Sequence, residues 1–274
     1  MSLSVLCFHR VTDSLDPIGI SVDSASFQKL ISCLSKTKRI LPLKDSFNYI
    51  DDKATYYCIT FDDGYCDLHD HAIPYLVAFD IPASIFIPSY YTVTQMPFWW
   101  EVAAFISSQG IKMPVNESNN KDADIINQLK EMTFYDRELW LSRIDLGNNI
   151  KLPGSFSYLE LSSLPDNIEL CSHGHSHTLC SLMSENDFHE ELIKNRELLK
   201  DLPNYNSSMF AYPNGTHKDY NSSNKKVLSA LNFKAAFTTI DGVNIENNSF
   251  DLKRTVVTSK NIDKLIRICK HWKT

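Results

Sequence analysis

The feature that most limits the fold is an alternation. Short β-rich runs at 3–8, 56–61, 83–87, 168–171, 208–211 and 235–239 are separated by long segments, several of helical period. Connections of that length do not make hairpins. Parallel strands need a crossover of a dozen or more residues, usually a helix. Phe27, Leu30, Ile31 and Leu34 share one helical face, as do Leu68, Ala72, Tyr75, Leu76 and Phe79. Pro74 inside the second pattern predicts a short or kinked helix. Ser184-Glu185-Asn186-Asp187 resembles a capping box, and Phe188, Leu192 and Leu199 line the helix it would start. A parallel sheet with helices outside it follows. With 274 residues, 43% of them hydrophobic, the chain is within reach of one α/β barrel with a substantial core.

The reading is a single domain over 1–274, interrupted by an insertion at about 97–155. There the pattern gives way to Phe98-Trp99-Trp100, a polar loop at 116–122 and helical stretches from 124 to 146. Lys plus Arg is 27 against 33 Asp plus Glu, a net charge of -6. That balance offers no electrostatic footprint for nucleic acid or an anionic membrane surface. No stretch approaches the ~20 apolar residues of a membrane helix. The start lacks a basic segment before its apolar run and reads as a first strand. Seven scattered cysteines form no Cys-x-x-Cys pair, which points to free thiols and a cytoplasmic location.

Two sites carry chemistry. Thr60-Phe61-Asp62-Asp63-Gly64 ends a strand, and Gly64 permits a sharp turn into the next helix. Carboxylates at the C-terminal end of a parallel strand sit where barrel enzymes keep catalytic groups. Asp-Asp-Gly equally suits a surface turn with a helix N-cap. Further on, Ser172-His173-Gly174-His175-Ser176-His177 places three histidines in five residues. His173 and His177 converge if the chain begins a helical turn. His173 and His175 share a face if the strand continues. Two imidazoles with one carboxylate and an open position make the ligand set of a catalytic zinc site.

These motifs, with Phe210-Ala211-Tyr212-Pro213-Asn214-Gly215, resemble the first three motifs of the polysaccharide deacetylase family. That family is also called the NodB-homology or carbohydrate esterase family 4 domain. Residues 81–86 resemble its strand after the first helix, Phe98-Trp99-Trp100-Glu101 the head of an insertion in bacterial members associated with surface polysaccharide. Phe237-Thr238-Thr239 and Leu252-Lys253-Arg254 resemble its closing strands. The resemblance covers 3–95 and 155–258. It implies a NodB-like distorted (β/α) barrel of about seven strands with a mostly helical insertion. It also implies one divalent ion, zinc before cobalt, nickel or iron, held by Asp63, His173 and His177. Asp62 would be the base. The backbone N–H of Asn214 would stabilise the oxyanion, with Tyr212 beside it. Tyr65 is expected to line the cleft and Trp99 and Trp100 to stack on a sugar ring, unless that pair anchors the insertion. His175 is expected to point away, and His69 and His71 to be solvated.

The sequence departs from the family pattern twice. No Leu-x-His motif supplies the acid; Cys7-Phe8-His9-Arg10-Val11 instead resembles the N-terminal Tyr-His-x-Val of the exopolysaccharide poly-N-acetylglucosamine deacetylases, implying His9. Ala211 stands where many members have an arginine, and Arg254 is the candidate replacement. The expected activity is hydrolysis of the N-acetyl group of an amino sugar, in a glycan or glycan precursor of surface-polysaccharide or O-antigen type. The alternatives are a deformylase or O-acetyl esterase with the same site, or a silent metal-containing glycan-binding domain.

Overall fold

A computed structural model describes residues 2–46, 55–110, 125–146, 151–245 and 249–271. Seven parallel strands form one sheet: β1 (Ser2–Phe8), β2 (Thr55–Phe61), β3 (Ala83–Ile87), β4 (Ile168–Ser172), β5 (Tyr205–Ala211), β6 (Ala235–Phe237) and β7 (Thr255–Val256). Their order is β6-β5-β4-β3-β2-β1-β7. The run 252–256 touches both edges. Leu252 bridges Phe237 of β6, while Thr255 and Val256 pair with Leu6 and Cys7 of β1. The sheet therefore curls into the distorted barrel expected from the sequence.

Period 2 along each strand divides the side chains into two sets. Val5, Cys58, Phe86, Cys171, Ala211, Phe237 and Leu252 form one buried cluster inside the barrel. Leu6, Phe8, Ile59, Phe61, Ile85 and Ile87 face the opposite way, into a larger cluster with the surrounding helices. The inner row does not stop where the strands do. Continuing by twos from Cys58, Cys171 and Leu252 leads to Asp62, His173 and Arg254, all buried. The polar groups thus collect at the C-terminal mouth.

Helix α1 (Ser24–Ser35) buries Phe27, Leu30, Ile31 and Leu34, as read from the sequence, and Asp23 caps it by accepting from the Ser26 N–H. The next pattern is broken as Pro74 predicts: α2 (Leu68–His71) ends at Ala72, and α3 (Ile73–Ala78) starts with the proline in its first turn. Within the insertion lie α5 (Trp99–Ser108), α6 (Ile125–Lys130) and α7 (Phe134–Leu141), preceded by α4 (Ser89–Thr94). The helical stretches expected from 124 to 146 are two helices, α7 beginning where the Thr133 side chain caps it. The polar loop at 116–122 lies outside the described residues. The chain returns by donating Phe156 N–H to the Gly64 carbonyl (2.9 Å) while Cys66 N–H donates to Gly154 (2.9 Å). The far end of the insertion is therefore fixed to the Asp-Asp-Gly turn. Next come α8 (Tyr158–Ser162), α9 (Glu185–Leu199), α10 (Ser222–Ala230) and α11 (Ile262–His271). The capping box at Ser184 and Asp187 is present at the start of α9. Among the described residues no helix is long and apolar enough to cross a membrane.

Candidate active site

The turn after β2 separates two adjacent carboxylates. Asp62 keeps the strand's direction and points into the barrel, its N–H donating to the Phe8 carbonyl at 2.9 Å. Asp63 and Gly64 then take φ of +68° and +66°. Such a turn is unfavourable for an L residue, and the glycine is required: a Cβ there would lie 2.5 Å from Ile87 Cδ1. The reversal brings Asp63 Oδ1 to 3.4 Å from His173 Nε2 and 3.2 Å from His177 Nε2. Of the two geometries open in the sequence, the turn is the one adopted. His177 has φ of +54°. His175 faces away, sharing a 2.9 Å hydrogen bond with Ser89 Oγ and packed on Tyr90 and Phe134. Burial, and then Lys194, push its pKa down to about 4, so it stays neutral.

One ligand atom from each of Asp63, His173 and His177 lies within 4.8 Å of the other two. The donor set fits a divalent ion on two further observations. Asp63 Oδ1 is buried and has no hydrogen-bond partner. His173 Nδ1 donates to the Ala211 carbonyl at 2.8 Å, which leaves its Nε2 lone pair facing Asp63. Burial works against the Asp63 charge, but positive charge on the His177 and His173 side holds its carboxyl well below the ordinary range, whether carried by protons on the rings or by a cation between them.

Asp62 is anchored differently. Arg254 Nη1 donates to its Oδ1 at 2.7 Å and Nη2 to its Oδ2 at 2.6 Å, a bidentate pair. The guanidinium is fixed in turn, Nε donating to Thr238 O at 2.8 Å and Nη1 to Thr60 Oγ1 at 3.4 Å. The Cys7 thiol donates to Asp62 Oδ2 at 3.5 Å. Burial alone would raise the Asp62 pKa; Arg254 first and His173 next reverse that and hold it below the ordinary value. His9 is half-buried, its Nδ1 has no partner, and a ring nitrogen lies within 4.8 Å of an Asp62 oxygen and Cys7 Sγ. Asn214 adopts φ of +59° and is half-buried, with a buried, unpartnered Nδ2. The required glycine beside it, Gly215, would set a Cβ 2.8 Å from the Thr239 nitrogen.

Two aromatic expectations, at Tyr65 and Tyr212, are corrected, and at Trp99 the anchoring alternative is the one the fold adopts. Tyr65 does not line the cleft: it is fully buried, donating to Glu101 Oε1 at 2.8 Å and accepting from Trp100 Nε1 at 2.6 Å. Trp99 is 3% exposed, under the Arg137 guanidinium at 5.0 Å, and anchors the insertion instead of meeting a sugar. The Tyr212 ring stacks on Tyr220 at 4.1 Å and its hydroxyl donates to Phe250 O, which commits it to packing outside the barrel. Alternation explains the last case, since Ala211 points in and its neighbour must point out. His69 is exposed, whereas His71 is half-buried and shares a 2.8 Å hydrogen bond with Ser24 Oγ.

Trp100, read in the sequence as half of a stacking or anchoring pair, forms a wall of the site, its ring 4.4 Å from that of His177. Sequence reasoning missed Arg137, a lone arginine on a helix with no signal in the sequence, and read Glu101 only as part of the Phe98-Trp99-Trp100-Glu101 run. Glu101 is 2% exposed, and burial raises its pKa to about 7 against the pull of Tyr65 and Arg10. The folded state therefore holds the proton that the unfolded chain releases above about 4.5. The wild type loses stability progressively from there to about pH 7, by on the order of 3 kcal/mol. Glu101→Gln lacks this loss, so its melting temperature relative to wild type is expected to rise between pH 4.5 and 7. A constant difference across that range would refute the buried-acid assignment.

The chain can now be set beside known proteins. Residues 162–236 match the family model described as polysaccharide deacetylase. No curated protein matches. Among solved structures, IcaB from Ammonifex degensii superposes with a TM-score of 0.69 at 16% identity, covering 98% of this chain and 97% of that one. The Streptococcus pyogenes deacetylase PplD, in complex with acetate, gives 0.62 at 16% identity, with 97% of each chain covered. A de-N-acetylase from Aggregatibacter actinomycetemcomitans gives 0.62 at 12%, covering 97% of this chain and 100% of that one. Identities this low speak to the fold. With the matched segment, they bear out the family resemblance read from the motifs.

Proposed function

We propose that this chain, a protein of the polysaccharide deacetylase family, is a metal-dependent hydrolase that removes the N-acetyl group from an amino sugar. The observation that carries the reading is one mouth holding two unlike carboxylates. Asp63 faces two imidazoles, and Asp62 is clamped by a guanidinium. A site that only held an ion would have no use for the second.

When bound, a divalent ion polarises the amide carbonyl and makes water nucleophilic at neutral pH. Zinc suits one aspartate and two imidazoles best. Asp62 takes a proton from the attacking water, whose oxygen bonds to the carbonyl carbon. Arg254 keeps that carboxylate ionised and aimed. The backbone N–H of Asn214, which meets no protein acceptor among the described residues, donates to the developing oxyanion. His9 gives a proton to the sugar nitrogen as the C–N bond breaks, leaving acetate and a free amine. The substrate we favour is a surface-polysaccharide precursor of O-antigen type. We infer a cytoplasmic enzyme from its seven unpaired cysteines.

Wild-type protein purified without added metal should carry about one divalent ion, and His173→Ala should carry none. Wild type should also release acetate from a panel of N-acetylated amino sugars. Release only from O-acetyl esters, or of formate from N-formyl sugars, would replace the acyl assignment. An ion with no hydrolysis of any panel member would turn the reading toward glycan binding.

A further inference from the structure

His177 stands on an unusual piece of chain. Its left-handed backbone at +54° follows Gly174 at +77°, so the turn from 174 to 178 does not hold itself. Two charged side chains grip it from different elements. Glu191 of α9 accepts, on the single atom Oε1, from His175 N–H at 2.8 Å, Ser176 N–H at 2.5 Å and Ser176 Oγ at 2.8 Å. Arg137 of α7 does the converse. Its Nη2 donates to the Ser176 carbonyl at 3.0 Å and to Thr178 Oγ1 at 3.1 Å. These two acceptors flank His177 on either side in sequence.

Arg137 is fully buried, and among the described residues its guanidinium has no ion-pair partner; Nε and Nη1 make no hydrogen bond. A buried cation is costly unless something specific compensates it. Here that compensation is the turn's carbonyl and hydroxyl, with the Trp99 ring stacked beneath the guanidinium. Both Arg137 and Trp99 belong to the insertion. So does Trp100, which packs on the His177 ring.

We propose that Arg137 is a positioning residue: through Ser176 and Thr178 it fixes the left-handed turn that aims His177 at Asp63, making the insertion a working part of the metal site. The inference rests on the reading of Asp63, His173 and His177 as ligands for an ion. Linkage then runs both ways. What docks the insertion tightens the ion, and the ion tightens the insertion.

The test uses the full chain, Co2+ as the probe and two readouts. One is Co2+ affinity, followed by its visible absorption in competition with a chelator. The other is amide hydrogen exchange of peptides over 173–180 and 134–141. Arg137→Met is expected to weaken Co2+ about 10–100-fold and to speed exchange over 173–180 in the metal-free protein. Arg137→Lys, which keeps the charge without the fork, should recover part of both. In wild type, Co2+ should slow exchange over 134–141. Should Arg137→Met fail to fold, Thr178→Val removes the hydroxyl that accepts from Arg137 and bonds Ser176 Oγ at 2.8 Å, and is expected to move both readouts in the same direction. Wild-type exchange over 173–180 in the variants overturns the inference whatever the metal result. Faster exchange with unaltered Co2+ affinity overturns its link to the metal site. A wild type that binds no Co2+ overturns the ligand reading instead, and exchange in the metal-free protein then decides the clamp.

Discussion

Asp62→Asn should reduce acetate release by about 10²–10⁴-fold, the range expected when a positioned general base is lost. The substitution keeps the shape and removes the proton affinity. It also places an amide NH2 where Arg254 offers donors at 2.6 and 2.7 Å, so one arm of the fork loses its acceptor. Metal content should be unchanged, because Asp62 contributes no atom to the Asp63, His173 and His177 set. The pairing of results matters more than either alone. Activity lost with the ion retained assigns Asp62 to the chemistry, activity retained removes it from the mechanism, and ion and activity lost together would make it structural.

Arg254→Met is expected to destabilise the fold by about 3–5 kcal/mol, the usual cost of stranding one member of a buried ion pair. Asp62 at 2% exposure has no water to take over. The sign with pH follows from the direction of its shift. A carboxyl held below its ordinary value stabilises the fold above the unfolded pKa of about 3.9, and that contribution is lost as pH falls through the folded value. The gap between wild type and variant in urea unfolding should therefore narrow in acid below about pH 4. Catalysis should report the same loss: without the guanidinium Asp62 protonates more readily, and the acidic limb of kcat/KM moves to higher pH. In Asp62→Asn/Arg254→Met no charge is stranded, so the double variant should be more stable than the sum of its parts predicts. An unmoved acidic limb with additive stabilities would reduce Arg254 to a packing residue.

Much of this architecture was legible in the sequence because local rules and tertiary demands agree. The six β-rich runs are strands because each must bury both faces, one in the barrel and one under helices. Pro74 broke its helix and Ser184 capped its own for reasons confined to a few residues. His173 and His177 were legible as a pair, but not the left-handed turn that joins them, since nothing local favours it. The aromatic errors share a cause. Tyr65 follows the Asp-Asp-Gly motif and Tyr212 lies inside the 210–215 run, yet a place in or beside a motif does not decide facing; Tyr212 sits one step from an inward residue and so points outward. Arg137 could not have been found, because its partners Ser176 and Thr178 lie about forty residues away on another element.

The closure of the barrel by residues 252–256 has a consequence for how the protein matures. His9 follows β1, and Arg254 is 192 residues beyond the Asp62 it clamps. Contacts that distant form only after the ordering of much of the intervening chain has been met. A nascent chain emerging from the ribosome can pair β1 with β2 and bury α1 early, but Asp62 stays unclamped until residues 252–256 dock. The clamp on Asp62 therefore arrives only once residues 252–256 have been made, and a product that stops short of them lacks it.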